Sequence, residues 1–257
     1  MTGEAATDRR VVALTGADAL TFLQGLVTND VLPLGKGPGI VWAALLTPQG
    51  KYLADFFVVR TGDALLLELS EAMADATLRR LTMYRLRADV QVSPTALHVQ
   101  RGLGEAPADA LPDPRHPALG WRRYAQAPGT PPAIDWDAIR VAHVIPEAAR
   151  ELLVDDSYIL EAGFERLRGV DFRKGCYVGQ EVTARMKHKT ELRKGLVRVR
   201  VAGDAPFGAE ITADGKAAGT LFTRSGDRAI AYLRLDRAGG AMQAGSASVT
   251  LDGDQPG

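Results

Sequence analysis

The chain reads as an α+β protein followed by a small carboxy-terminal β-barrel. Three observations carry that reading. Roughly the first ninety residues alternate short apolar strands with amphipathic helical segments in the order βαβββαβ, which suits an α+β layer fold. From Gly195 onward the pattern changes to short alternating strands punctuated by Gly208, Gly215, Gly219 and Gly226, the signature of a small barrel or sandwich. The middle of the chain, by contrast, is loose and rich in proline, alanine and glycine. These shifts divide the chain into an α+β region over 1–190, a barrel over 193–251 and a disordered tail over 252–257.

The elements follow in order. Residues 11–14 form a short apolar strand. Thr15 to Asp18 has capping-box spacing, with a hydroxyl first and a carboxylate three residues on. Leu20, Leu23 and Val27 then share a helical face, and Gly25 is placed to end the helix. A buried strand over 40–46, a Pro48-Gln49-Gly50 turn and a strand over 52–60 make a hairpin. Asp63 marks a turn before a strand over 65–69. Ser70 is set to cap a helix to about Tyr84, with Glu71 in its first turn. A strand over 88–92 closes the unit. Residues 104–117 and 127–132 have the composition of surface loops. Asp135 starts a helix that Pro146 stops.

Composition narrows the function. The 31 basic and 31 acidic residues cancel, which argues against a whole-protein grip on nucleic acid. A single cysteine excludes an internal disulfide framework, a zinc finger and a multi-cysteine cluster site within one chain. The amino terminus lacks a secretory pattern, and no stretch of about 18 apolar residues predicts a membrane span. A cytoplasmic protein is expected. No GxxxxGK[ST] and no GxGxxG after a strand indicates a nucleotide cradle.

The lone thiol, Cys176, sits in Lys174-Gly175-Cys176-Tyr177-Val178-Gly179-Gln180-Glu181, ahead of good helix formers. A thiol beside a helix N-terminus and a lysine is favoured as the reactive, metal-binding thiolate. The alternative is a small buried hydrophobe. From Arg166 to Arg200 eleven Lys/Arg stand against three Asp/Glu, a net of +8. Either this is a solvated face, or it attracts an anion to the motif through Arg173, Lys174, Arg185 and Lys187. Without interleaved aromatics the run argues against direct RNA contact. Tyr177 either stacks on a ring or packs beside the glycines. Asn29 and Asp30 read as a loop cap. His188 reads as a surface residue, and His98, His116 and His143 lie in different segments with no ligand spacing.

The motif, with the following Thr183-Ala184-Arg185, resembles the signature of the YgfZ family of folate-binding proteins, relatives of the glycine-cleavage T-protein. Thr15-Gly16-Ala17-Asp18, the run from Phe22 to Val31, and Leu45 to Lys51 followed by Asp55-Phe56 are similar to the same family. The resemblance spans Val11 to about Val201, and its flavour is that of the mitochondrial iron–sulfur assembly members. It implies two entwined α/β lobes and a barrel closing a ring, with tetrahydrofolate in a central channel. It also implies an accessory factor for iron–sulfur protein maturation or repair, supporting a tRNA modification, rather than a conventional enzyme. Cys176 would be the reactive group. Because such clusters are usually held by four protein ligands, it would contribute one ligand to a transient cluster shared with an assembly or client protein. Glu161 resembles the glutamate that T-protein relatives use on the pterin, and Asp55 their hairpin carboxylate. With Tyr177, Arg185 and Lys174 these are the implied folate contacts. Ala54 stands where relatives carry a second acid, which disfavours the alternative, a folate-dependent aminomethyl or one-carbon transferase. His143 replaces the family's glycine before Ile145-Pro146. A third reading makes the protein a structural adaptor with a passive thiol.

Overall fold

The computed structural model describes residues 2–188, 192–253 and 255. Fifteen strands and four helices follow one another. They are β1 (Glu4–Ala5), β2 (Arg9–Thr15), α1 (Ala19–Gln24), β3 (Gly39–Leu46), β4 (Tyr52–Thr61), β5 (Ala64–Ser70), α2 (Glu71–Arg85), β6 (Gln91–Pro94), β7 (His98–Gly102), β8 (Leu111–Pro112) and β9 (Trp121–Ala125). Next come α3 (Trp136–His143), α4 (Gln180–His188), β10 (Lys194–Ala202), β11 (Glu210–Ala213), β12 (Lys216–Ser225), β13 (Arg228–Arg234), β14 (Met242–Ala244) and β15 (Ala247–Leu251).

The expected α+β class with a terminal barrel is what the structure has. A five-stranded antiparallel sheet has the order β3-β4-β5-β2-β6, and a four-stranded sheet β1-β7-β9-β8. The carboxy-terminal strands close into a barrel, β10-β13-β12-β11-β14-β15. Side chains alternate across a strand, so β4 feeds two cores. Phe56 and Val58 pack beneath α1 and α2 with Leu23, Leu67 and Leu81. Phe57 and Val59 face the second sheet and the long segment after α3, with Trp42, Val99, Ile145 and Phe164. Both faces being buried explains why β4 reads as a near-continuous apolar run.

Several local expectations are corrected. Thr15 to Asp18 forms no capping box. The Asp18 carboxylate instead accepts from the Asp89 N–H at 2.8 Å, and the Asp89 carbonyl accepts from the Asp18 N–H. That clamp holds the expected strand over 88–92 in a loop, and pairing with β2 begins only at Gln91. The Ser70 side chain makes no capping hydrogen bond; Glu71 N donates to the Asp8 carbonyl instead. Within the expected surface loop over 104–117, Asp113 is buried and ion-paired to Arg115 and Arg122. At the carboxy terminus Asp252, where a disordered tail is expected, is buried and paired with Arg198 at 2.8 Å. Asp254, Pro256 and Gly257 lie outside the described residues.

Candidate functional site

The cysteine motif lies over the β3–β4 turn, and two glycines allow it. At Gly179 (φ +85°) a Cβ would come within 2.5 Å of the Thr47 carbonyl oxygen. At Gly50 (φ +75°) it would meet the Val182 side chain at 2.9 Å. Only a residue without a side chain permits both the left-handed backbone and this approach. Cys176 itself is exposed, beside Gly175, whose backbone is also left-handed (φ +98°) and whose missing Cβ would meet nothing.

The neighbours of the thiol are committed elsewhere. Helix α4 starts only at Gln180, whose side chain accepts from the Tyr177 N–H. Cys176 therefore lies outside the first turn, where a helix dipole acts. The Lys174 ammonium does not flank the thiol freely. It donates to the Val27 carbonyl at 2.8 Å and to the Gln24 carbonyl, while Gln24 Nε2 donates back to the Lys174 carbonyl at 3.1 Å. Lys174 thus ties the motif to the end of α1. Burial lowers its pKa to about 8, against the opposing pull of Asp30 and Asp171. Tyr177 packs in the core rather than offering a face, with the Lys174 ammonium 5.0 Å from its ring centroid. Burial raises its hydroxyl, which lies near Thr183 without a well-formed hydrogen bond.

The implied folate contacts do not converge. Both Asp55 oxygens are used inside the core, accepting from Trp42 Nε1 at 2.7 Å and the Tyr52 hydroxyl at 2.6 Å. Burial and Asp55 together push the Tyr52 hydroxyl well above the usual phenol range. Glu161 sits where the barrel meets the rest of the chain. It accepts from the Tyr232 hydroxyl at 2.6 Å and lines a cavity of about 200 Å³ with Arg166 and Lys194. Arg185 is on the exposed side of α4, paired with Glu181 at 2.8 Å.

A larger cavity, about 560 Å³, opens beside β3, within the size range of small-molecule sites. Its apolar wall is Ile40, Trp42, Val170 and Phe172, and its polar lining includes Asn29, Glu165, Arg168, Asp171 and Arg173. Trp42 is held rigidly: Phe164 stacks on it at 4.0 Å and Asp55 binds its indole N–H. Asp55 therefore positions this wall without reaching the cavity. Asn29 donates to the carbonyls of Trp42 and Arg168, and its Oδ1 accepts from the Asp30 N–H. Asp30 in turn accepts from the Leu32 N–H, so the loop-cap reading of this pair holds. Arg168 is a non-glycine residue at φ +57°. An aromatic wall, carboxylates and two cations suit a flat heterocycle with an anionic tail, which is the chemistry of tetrahydrofolate. The sequence reading did not find this cavity, although Arg168, Asp171, Phe172 and Arg173 directly precede the motif.

It also missed a histidine pair. His116 and His143, far apart in sequence, stack with ring centroids 4.1 Å apart. No group of three or more metal-ligating side chains exists among the described residues. No described helix is long and apolar enough to cross a membrane.

Comparisons with known proteins sharpen the picture. Residues 193–254 match the family model of the CAF17 C-terminal beta-barrel domain. The chain is 31% identical to the mitochondrial iron–sulfur cluster assembly factor IBA57 of Mus musculus, over 91% of this chain and 78% of that protein. It is 30% identical to the Homo sapiens protein of the same description, with the same coverage. With the mitochondrial IBA57 homologue of Mycosarcoma maydis it shares 33% identity but spans only 57% of that protein's length. Among solved structures, the glycine cleavage system aminomethyltransferase T of Bartonella henselae superposes with a TM-score of 0.74 at 13% identity, covering 98% of this chain and 84% of that one. That likeness establishes the fold. The expected cytoplasmic location is corrected, because these relatives are described as mitochondrial, which points to the mitochondrion. A single unpaired cysteine suits any reducing compartment, so composition could not have separated the two.

Proposed function

The chain belongs to the IBA57 family of iron–sulfur cluster assembly factors, and we propose that it acts by presenting Cys176 to a partner protein, with bound tetrahydrofolate and without turnover of its own. The observation that carries this reading is the exposure of Cys176 on a loop whose position Gly179, Gly50 and Lys174 over-determine. One thiolate supplies one ligand where a cluster commonly takes four. The cluster is therefore cargo shared with an assembly or client protein that brings the others.

In this reading tetrahydrofolate occupies the cavity beside β3. Phe172, backed by the buried Trp42, gives its ring a flat wall, Asp171 faces its amino-pyrimidine edge, and Arg168 and Arg173 take its glutamate carboxylates. A tRNA modification that depends on such clusters is served downstream, without direct RNA contact. The transferase alternative is disfavoured, since Asp55 is already satisfied by Trp42 and Tyr52.

The test has two parts. Cys176→Ser should abolish the visible absorbance of a cluster-bridged complex reconstituted with a cluster-carrier protein, and wild-type Cys176 should be alkylated at neutral pH without denaturant. An unchanged complex in Cys176→Ser sinks the proposal. Titration with tetrahydrofolate should quench Trp42 emission, and Trp42→Phe should remove that change. Tetrahydrofolate-dependent release of formaldehyde or ammonia from an aminomethyl donor, surviving in Cys176→Ala, would favour the transferase instead.

A further inference from the structure

The two sheets enclose a set of arginines that the reading above does not use. Glu68 of β5 is fully buried and accepts from Arg9 Nε at 2.7 Å, Arg122 Nε at 3.0 Å and the Tyr124 hydroxyl at 2.7 Å. Asp113 takes Arg115 at 2.8 Å and the other arm of Arg122 at 3.1 Å. Those two carboxylates satisfy Arg115 and Arg122 but leave donors unspent. Arg9, whose side chain is 6% exposed, has a buried Nη2 with no partner among the described residues. Arg101 is directly opposite Arg122 across the β7–β9 pair, so their side chains share one face. It stacks on Trp136 at 4.4 Å, its Nε is also buried without a partner, and no described carboxylate lies within ion-pair distance. Glu147 is the carboxylate that feels Arg9, Arg115 and Arg101 together, yet its own ion pair is with Arg140 at 3.4 Å.

A buried guanidinium N–H without an acceptor leaves its desolvation uncompensated. Two of them around one arginine cluster is an arrangement that an incoming oxyanion relieves. Arg101 is only partly buried, which leaves a route from solvent. We infer that Arg9 and Arg101 form an oxyanion-binding site between the two sheets, separate from the cavity beside β3, that accepts a phosphate or a small carboxylate.

Arg101 is the residue to change, because Arg9 also neutralises Glu68. Thermal unfolding of the full chain would be followed in phosphate, in malonate and in chloride at matched ionic strength. Phosphate or malonate should raise the midpoint above chloride, and Arg101→Gln should weaken the apparent affinity roughly tenfold or more, the size of a lost charged hydrogen bond. Whichever anion acts identifies the source as a free phosphate or a carboxylate. Arg101→Lys, which keeps the charge but not the fork, should fall between. Matching circular dichroism of the variants in chloride shows that they fold. Equal midpoints in all three salts, or an equal shift in wild type and Arg101→Gln, would overturn the inference. Neither result bears on Cys176 or on the tryptophan titration.

Discussion

Cys176 is placed by its neighbours. Gly179 pays for close backbone contact with the β3–β4 turn in conformational freedom, and Lys174 anchors the other end of the motif to α1. Gly179→Ala should therefore cost about 1–3 kcal/mol, from left-handed strain plus the clash at Thr47. Gly175→Ala meets no atom within 4 Å and should cost only about 1–2 kcal/mol from the backbone alone. Urea midpoints would separate them; equal losses would show that the hairpin contact is unimportant. The sequence showed the motif and its glycines. It did not show that Tyr177 and Lys174 face inward, because one strand of text carries no record of which side another element covers.

Among the elements, two helix starts that look alike in sequence behave differently. The Asp135 carboxylate accepts from the Ala138 N–H at 2.9 Å, so it caps α3. Ser70 makes no such bond, and the first N–H of α2 finds the Asp8 carbonyl instead. Asp135→Ala is expected to lose about 1 kcal/mol, whereas Ser70→Ala should change stability little. A Ser70→Ala loss as large as that of Asp135→Ala would contradict the assignment. Helix α3 also bridges to the barrel: Arg140 reaches Glu151 at 2.9 Å and Thr223 of β12 at 3.0 Å. Apolar runs predicted the strands of the first sheet, and alternation those of the barrel. Alternation missed the second sheet, whose strands β7 and β9 bury polar residues, Gln100 and Arg122, where it looks for apolar ones.

For the molecule as a whole, buried ion pairs set the response to acid. Burial works to raise Glu68 and Asp113, but Arg122, Arg9 and Arg115 outweigh it and hold both carboxyls at about 2. Their folded values lie below their unfolded ones. The stability they contribute is thus present above the usual carboxylate range, about pH 4–4.5, and is lost as pH falls toward about 2. Arg122→Met should cost about 3–5 kcal/mol, since it removes the guanidinium that two buried carboxylates share and leaves Glu68 to Arg9 and Asp113 to Arg115, and should shift acid unfolding to higher pH. An acid transition identical to wild type would refute this. The stacked His116 and His143 act earlier. Burial lowers both, assisted at His116 by its partner and at both by Arg166. The folded state therefore resists their protonation, and stability falls as pH drops below about 6.5. His143→Asn should flatten that part of the pH–stability curve measured by chemical denaturation.

The sequence by itself determined the α+β class, the barrel, the hairpin and the glycine-hinged cysteine loop, because each is written in local spacing: a period of two, a capping residue, a glycine where the backbone turns left-handed. Only the tertiary structure decided which charges neutralise one another. Arg9 and Arg122 meet Glu68 from 59 and 54 residues away, and Asp55 turns to Trp42 instead of a ligand. Those pairings follow from how two sheets stack, and the stacking is set by the sum of all the apolar faces rather than by any one segment.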